Sequence, residues 1–292
     1  MKKFAIISDA SCDLTPEYLK EHEIEYAHMF INWHDDEGFH EIPASLSWDI
    51  LSIEKFYEMM KSGIVFKTSL ILRDEYVELY EKNLKEGRDV LYLACSSGLT
   101  ASTALGKKTA EEVNANYKDN KVIVVDTLRA SMDQGLLVMR AVELRDQGKS
   151  IEEVAKIIEE ERLNTVQIGT PDKLSFLRRA GRVKASKAFF GDMFGVKPIL
   201  MFDDEGHNVA LYKAKGRKNS LLEIARIAKE NCSNPKERTA YLMQAYCSQE
   251  DIDTFKKALL EIGGFKDVVV LPLGPIIGAS SGPGTINVYF WR

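Results

Sequence analysis

Hydrophobic positions in the first half of the chain alternate between short apolar runs and helical repeats. Short apolar runs predict buried strands, and apolar residues spaced three and four apart predict amphipathic helices. Strand patterns cover residues 4–8, 26–32, 90–94 and 122–125, and helical patterns cover residues 49–62, 73–86, 99–116 and 135–147. Apolar strands separated by helices favour a parallel sheet that is covered by helices on both faces.

A capping-box sequence begins the last helix of this region. Ser150 stands at the N-cap position and Glu153 follows three residues later. In a capping box each of these side chains binds the backbone N–H of the other residue. The apolar periodicity then continues to about residue 162, so we predict a first α/β domain at residues 1–163.

In the second half of the chain the strand and helix patterns follow a different order, and two of the strand patterns predict a hairpin. A turn at residues 203–206 separates two strand patterns that can pair with each other. Strands are predicted at residues 166–169, 199–202, 209–213, 241–245, 268–271 and 286–291, and helices at residues 220–231 and 250–262. This order predicts a second α/β domain, at residues 164–292, with a mixed sheet and helices on one face.

Composition and charge exclude several classes of protein. The chain has 292 residues, of which 45% are hydrophobic, and its formal net charge is −5, which disfavours binding to nucleic acid or to an anionic membrane. Four scattered cysteines are typical of a reduced compartment. No apolar run is long enough to span a membrane, and Asp9 interrupts the first run too early for a signal peptide. We therefore expect a cytoplasmic protein without integral membrane association.

The sequence contains a serine-hydrolase motif, but the elements and residues that should accompany the motif are missing. Gly278, Ser280 and Gly282 fit G-x-S-x-G, which in hydrolases joins a strand to a helix. Here Pro283 follows, then a predicted strand. The catalytic histidine should also come later in the chain, whereas the last histidine is His207. The sequence therefore argues against a hydrolase.

Four histidines near the N-terminus are spaced six residues apart. They are His22, His28, His34 and His40. No regular element brings every sixth residue to one face, so these residues predict a polar strand and loop region and not a metal site. We expect neither a metal nor a cofactor.

Hydroxyl side chains lie next to predicted strands and helices at two places. Thr68 and Ser69 come just before a helix, and Ser96 and Ser97 come between a strand and a helix. Ligands of open parallel sheets bind beyond the carboxyl ends of the strands, and a helix N-terminus there favours an anion. Alternatively, these residues are ordinary N-caps. Both interpretations stay open at this point.

The segment at residues 274–284 is rich in glycine and proline. It reads Gly-Pro-Ile-Ile-Gly-Ala-Ser-Ser-Gly-Pro-Gly. Such a composition predicts a stiff loop. Its glycines would serve either a tight turn or a close approach of the backbone to a ligand.

Taken together, these segments resemble the DegV family, whose characterised members are fatty-acid-binding subunits of bacterial fatty acid kinases. The resemblance runs along nearly the whole chain, with all pieces in the family's order. Its pieces are residues 9–14, 68–69, 96–103, 126–135, 177–183, 197–200 and 274–284.

The resemblance implies two α/β domains with a long-chain fatty acid buried between them. In the family, hydroxyls and a histidine of the last loop hold the carboxyl group, and that histidine is replaced here by Ser280, which can donate a hydrogen bond but carries no charge. The implied ligand-binding residues are Thr68, Ser69, Ser96, Ser97, Ser280 and Ser281.

The resemblance also implies a carrier of phospholipid metabolism and not an enzyme. A separate kinase subunit would phosphorylate the bound acid to an acyl phosphate, so the fatty acid is the ligand and no cofactor is expected. Arg178, Arg179, Arg182 and Arg217 would then form a docking surface, although basic residues on a solvated face are the alternative. Because Ser280 replaces the histidine, a binding protein or sensor for a different small ligand is the second hypothesis.

Overall fold

A computed structural model describes residues 4–184 and 195–292. The first half contains β1 (Ala5–Asp9), α1 (Pro16–Glu21), β2 (Glu25–Ala27), β3 (Phe30–Asp35), β4 (Gly38–Pro43), α2 (Ile53–Lys61), β5 (Lys67–Ser69), α3 (Arg73–Lys85), β6 (Val90–Ala94), α4 (Ser102–Asn114), β7 (Val122–Asp126), α5 (Met132–Asp146) and α6 (Ile151–Glu161). The second half contains β8 (Thr165–Thr170), α7 (Ser175–Ala180), β9 (Val196–Phe202), β10 (Asn208–Lys215), α8 (Arg217–Glu230), β11 (Thr239–Gln244), α9 (Gln249–Glu261), β12 (Asp267–Pro272), α10 (Pro275–Ser281) and β13 (Ile286–Trp291).

The first half contains the predicted parallel sheet. Its strand order is β2-β1-β6-β7, and every neighbouring pair is parallel. All residues of β1 and β6 are buried, as expected for strands covered on both faces. Helices α3 and α4 pack together against this sheet, as do α5 and α6. The α/β class and the parallel sheet are confirmed.

The second half contains the predicted mixed sheet, with β13 near its middle. The strand order is β10-β9-β8-β13-β11-β12, in which β11 and β12 are parallel and the other pairs are antiparallel. Along β13, Val288 and Phe290 point into the core beneath α8 and α9. Tyr289 points the other way, into the core of the first half, where α5 contacts the sheet. The first half therefore covers the face that α8 and α9 leave open.

A small antiparallel sheet, with the order β4-β3-β5, was not predicted. The stretch at residues 26–32, predicted as one strand, is divided between β2 in the parallel sheet and β3 in this sheet. An apolar pattern reports burial and not the identity of the pairing strand. As a result, Thr68 and Ser69 lie within β5, opposite Ile31 and Phe30, and not in a turn.

The prediction of a loop at residues 274–284 was wrong, because most of this segment forms α10. Pro275 occupies the first turn, where a missing N–H costs nothing, and Gly282 ends the helix with φ +81°. Gly278 is required inside the helix because a Cβ atom there would lie 2.5 Å from the Tyr57 hydroxyl oxygen. Ser280 is consequently a helical residue and not the tip of a nucleophile elbow.

The capping box of α6 is confirmed. The Glu153 N–H donates to Ser150 Oγ at 3.2 Å, and the Ser150 N–H donates to the Glu153 carboxylate at 2.8 Å. The domain boundary near residue 163 stays a prediction. Across it, one hydrophobic core joins residues of both halves, including Met243 and Leu273 from the second. Within residues 4–184 and 195–292, no helix has the length and apolarity needed to cross a membrane.

Candidate functional site

A cavity lies between the two halves of the chain. It has a volume of about 100 Å³ and is lined by residues of β5, β8, β9, β13 and α10, together with the turns that follow β1, β6 and β7. A neighbouring cavity of about 220 Å³ shares Thr68, Arg182 and Ser280 with it. These three residues therefore lie where the two cavities adjoin.

The Asp9 carboxylate organises the strand ends that form the cavity floor. Asp9 is the last residue of β1, and it accepts hydrogen bonds from the Cys95 N–H at 2.9 Å and from the Tyr92 hydroxyl at 3.0 Å. It also accepts from the Ser11 N–H at 3.1 Å and from the Ser11 hydroxyl. Ser11 and Cys95 line the cavity. One buried carboxylate thus holds the turns after β1 and β6 together.

Asp13 orients a second hydroxyl of the floor. The Ser131 hydroxyl, which lines the cavity, donates to Asp13 Oδ2 at 2.6 Å. Burial raises the pKa of Asp13 to about 7, and the hydrogen bond from Ser131 opposes this increase. Because Ser131 uses its hydroxyl hydrogen on Asp13, it presents acceptor lone pairs to the cavity.

A buried ion pair lies beside the floor. Arg129 Nε lies 3.9 Å from Asp133 Oδ2, and both side chains are buried. Burial raises the pKa of Asp133 to about 7, although the Arg129 charge opposes this. Arg129 also donates to the Asp203 carbonyl at 3.3 Å and stacks over the Phe202 ring, which lines the cavity. The pair therefore joins α5 to the β9–β10 hairpin of the second half.

Four of the six predicted carboxyl-binding residues line the cavity. They are Thr68, Ser69, Ser280 and Ser281. Ser69 already donates to Glu41 at 2.9 Å, and Ser281 donates to the Ile277 carbonyl at 2.7 Å. Within the described residues, no hydrogen bond engages the hydroxyls of Thr68 and Ser280. These two are the groups best placed to bind a ligand.

The other two predicted residues, Ser96 and Ser97, do not line the cavity in the part of the chain that the structure describes. Ser96 is fully buried and donates to the Gly206 carbonyl at 2.7 Å. It also caps the Gly98 N–H at 3.1 Å. Ser97 is exposed, and its N–H donates to Asp126 at 3.2 Å. Ser96 thus holds the β9–β10 hairpin against the first half, and the role of both serines in binding a carboxyl group stays a prediction.

Three of the four predicted docking arginines lie on or just after α7. Arg182 lines both cavities, is exposed and donates to the Leu99 carbonyl at 3.2 Å. Arg179 lines the larger of the two and lies over the Phe176 ring, 5.4 Å from its centre. Arg178 is exposed beside a separate cavity on the far side of α7. A positive charge therefore stands next to the Thr68 and Ser280 hydroxyls.

Arg217, the fourth predicted docking arginine, is the first residue of α8. Its side chain is held by an ion pair and by a hydrogen bond to the backbone. Its Nε lies 3.0 Å from Asp251 Oδ2, and its Nη2 donates to the Gly284 carbonyl at 2.8 Å. Its Nη1 is buried and has no hydrogen-bond partner within residues 4–184 and 195–292. Arg217 lines a further cavity of about 330 Å³, to which Lys61 and Lys173 also contribute.

One group of side chains has the composition of a metal site. The ligand atoms of Asp203, Glu205 and His207, in the turn between β9 and β10, lie within 4.8 Å of one another. Lys184 Nζ lies 2.9 Å from His207 Nδ1 and 3.4 Å from Glu205. Because the lysine ammonium already supplies a positive charge there, this group does not call for a cation.

Sequence reasoning missed the polar residues that the mixed sheet presents to the cavity. Gln167, Asn208, Asn287 and Tyr289 all line it. The Asn287 amide donates to the Tyr289 hydroxyl at 3.0 Å. A polar residue between two apolar neighbours of a buried strand, such as Gln167 between Val166 and Ile168 in β8, is the signal that could have identified them.

Comparison with known proteins places this chain in a family. The family model described as "Uncharacterised protein, DegV family" matches residues 3–292. The chain belongs to the DegV family. A DegV domain-containing protein of Clostridium perfringens is 34% identical over 292 residues, which cover 99% of this chain and 98% of the relative.

Solved structures of DegV proteins share the fold. A fatty-acid-binding DegV family protein from Thermus thermophilus has a TM-score of 0.86 at 24% identity, and 99% of each chain is covered. A stearic-acid-binding protein from Eubacterium ventriosum also has a TM-score of 0.86, at 22% identity, with 99% of this chain and 98% of that chain covered. Identities this low establish the fold of this DegV protein and leave its ligand to be argued from its own cavity.

Proposed function

We propose that this DegV protein binds a fatty acid in the cavity between its two halves, with the carboxyl group at Thr68 and Ser280. The observation that carries the proposal is that both hydroxyls, unengaged within the described residues, line both cavities beside Arg182. The proteins from Thermus thermophilus and Eubacterium ventriosum, which share the fold, are described as binding fatty acids. This supports the same class of ligand here.

The energetics of the cavity are consistent with this ligand. Apolar side chains such as Leu70, Leu99 and Ile276 line it, and burying each methylene contributes about 0.8 kcal/mol. A buried carboxylate is costly unless charged or hydrogen-bonding groups accompany it. Arg182 supplies the charge that Ser280 cannot carry, and a hydrogen bond to a charged group contributes roughly 1.5–3 kcal/mol.

We further propose that the protein is a carrier that presents the carboxyl group to a separate kinase, which phosphorylates it to an acyl phosphate. Arg182 and Arg179 lie beside the carboxyl site and are exposed. A partner that docks there would reach the carboxyl group from the surface. Arg178 and Arg217 line two further cavities.

Mass spectrometry of a solvent extract from the purified protein tests the proposal. We expect about one fatty acid per chain. Thr68→Val keeps the side-chain shape but removes the hydroxyl, and we expect it to weaken binding of added fatty acid about tenfold. Thr254→Val is the matched control, since Thr254 lies on α9, away from both cavities. An extract without lipid, together with equal affinities of the two variants, would contradict the proposal.

The kinase step is tested separately with labelled ATP. A mixture of kinase, loaded carrier and ATP should yield acyl phosphate, and Arg182→Gln should slow its formation more than it weakens binding of the fatty acid. If acyl phosphate forms equally fast with the variant, the arginine surface is not the docking site.

A sensor or binding protein for a different small ligand is the second candidate. The amide oxygens of Gln167 and Asn208, two residues that line the cavity, favour it, because a plain hydrocarbon chain supplies no hydrogen bond to either of them. A stoichiometric molecule of another class in the extract would establish this alternative.

A further inference from the structure

The mixed sheet places a row of polar and aromatic side chains across the wall of the cavity. Asn208 of β10 is paired with Phe202 of β9, and Gln167 of β8 is paired with Tyr289 of β13. All four residues line the cavity. Since paired residues on neighbouring strands point to the same face, this wall presents amide groups where an acyl chain would lie.

Two atoms of this row have no hydrogen-bond partner among the residues that the structure describes. Gln167 is 3% exposed, and its Oε1 is buried without a partner. Asn208 Oδ1 is likewise buried without a partner among these residues. Buried amide groups in folded proteins are nearly always hydrogen-bonded, because desolvating them without compensation is unfavourable. The two amides therefore point to a ligand that carries a polar group of its own.

Among the described residues, no protein group donates to Gln167 Oε1. The Asn287 amide donates instead to the Tyr289 hydroxyl, and Ser131 uses its hydroxyl hydrogen on Asp13. A carboxylate has no hydrogen to donate to an amide oxygen, and a methylene forms no hydrogen bond. An alcohol hydroxyl can donate a hydrogen bond to the amide oxygen.

We propose that the preferred ligand of this protein is a hydroxylated fatty acid, whose chain hydroxyl binds the Gln167 amide. This inference rests on the proposed function, in that the carboxyl group lies at Thr68 and Ser280. Gln167 is then a specificity-determining residue that selects among acids with the same chain length. Asn208 extends the polar wall on the side towards β10.

The test compares ligands on the purified chain after its bound lipid has been removed on a hydrophobic resin. The ligands are hexadecanoic acid and its monohydroxy derivatives, with the hydroxyl next to the carboxyl group, in mid-chain or at the far end. Dissociation constants are measured by calorimetry. We expect one derivative to bind about tenfold more tightly than hexadecanoic acid, which corresponds to one well-formed hydrogen bond to a buried amide.

A pair of variants assigns the preference to Gln167. Gln167→Met keeps an unbranched side chain of similar length and removes the amide, so it should abolish the preference and improve binding of hexadecanoic acid. Gln147→Met makes the same change at an exposed position after α5 and should leave the preference intact. If Gln167→Met fails to fold, Asn208→Leu tests the polar wall instead, and the comparison of ligands on the unchanged protein still decides whether a preference exists.

Each outcome supports or overturns a defined statement. If hexadecanoic acid binds as tightly as every derivative, the proposed function stands and the inference is wrong. If the preference persists in Gln167→Met, the assignment to Gln167 is wrong. If none of the acids binds, the proposed function itself fails.

Discussion

The contact between the β9–β10 turn and the first half gives the sharpest prediction for stability. The Gly206 carbonyl accepts from the Ser96 hydroxyl at 2.7 Å, and Gly206 has φ +80°. A Cβ atom on Gly206 would lie 2.1 Å from Ser96 Oγ and 3.0 Å from the Leu128 backbone. Gly206→Ala therefore meets both an unfavourable backbone conformation and a side chain that has to move.

The size of the effect follows from these two terms. A non-glycine residue with positive φ costs about 1–2 kcal/mol. Displacing Ser96 leaves the buried Gly206 carbonyl unpaired, at a further cost of about 1–3 kcal/mol. We therefore expect Gly206→Ala to lower the free energy of unfolding by about 2–5 kcal/mol. Gly148→Ala is the matched control, because Gly148 has φ +86° but nothing lies within 4 Å of its Cβ position.

Urea denaturation of four variants measures this prediction. They are Gly206→Ala, Gly148→Ala, Ser96→Ala and the double variant Ser96→Ala/Gly206→Ala. In the Ser96→Ala background, Gly206→Ala should cost about 1–3 kcal/mol less, since the clashing oxygen is gone and only the backbone cost remains. Equal losses for Gly206→Ala and Gly148→Ala, with no coupling to Ser96, would refute the reasoning.

Three further predictions concern buried and ligand-facing groups. The pKa of Asp13 in the folded protein, about 7, exceeds the unfolded value of about 4, so its contribution to stability is complete below pH 4 and is lost as the pH rises to 7. Asp13→Asn should flatten unfolding curves recorded across that window, and an unchanged slope would argue against a protonated Asp13. The buried Tyr57 hydroxyl has no hydrogen-bond partner in the described part of the chain, so Tyr57→Phe should raise the free energy of unfolding by about 1 kcal/mol in urea titrations. Tyr76→Phe should lower it, because that hydroxyl donates to a backbone carbonyl at 2.9 Å, and a loss in both variants would contradict this account. Ser280→Ala should weaken fatty-acid binding about tenfold in calorimetry, whereas Ser281→Ala, whose hydroxyl is already bonded within α10, should not, so equal losses would remove Ser280 from the site.

Local patterns were sufficient for most of the fold. The apolar runs in β1, β6 and β13 and the capping box at Ser150 each depend on residues close together in the sequence, and each was predicted. The division of residues 26–32 between two sheets depends on partners far away in the chain, β1 for one part and β5 for the other. The alternation of hydrophobic and polar residues does not show which distant strand is the partner.

The segment that contains Ser280 shows a different kind of failure. Its glycines and prolines predicted a loop, yet Pro275 and Gly282 are the residues that begin and end α10. Proline just inside a helix start and glycine just past its end are themselves helix signals, so these two residues could have identified α10 from the sequence. The high glycine and proline content of the segment favoured the prediction of a loop instead.

The candidate site was predictable only in part. Thr68 and Ser280 were identified through a family resemblance, and they meet because β5 and α10 pack together. Gln167 and Asn208 were missed because their strands are joined only through β9 in the folded sheet. Ser96 was assigned to the ligand through the same resemblance, and its hydrogen bond to the Gly206 carbonyl could not be known from the sequence.

The central place of β13 also determines when the cavity can exist. Pairing β13 with β8 closes a loop of roughly 120 residues, and contacts so distant in sequence form late and slowly during folding. Before that pairing, Asn287 and Tyr289 cannot face the floor residue Ser131. A chain that has assembled its parallel sheet but not this strand has no compartment for a lipid. A ligand bound in the finished cavity therefore stabilises the last pairing and slows its loss, so that occupancy is expected to lengthen the lifetime of the folded protein.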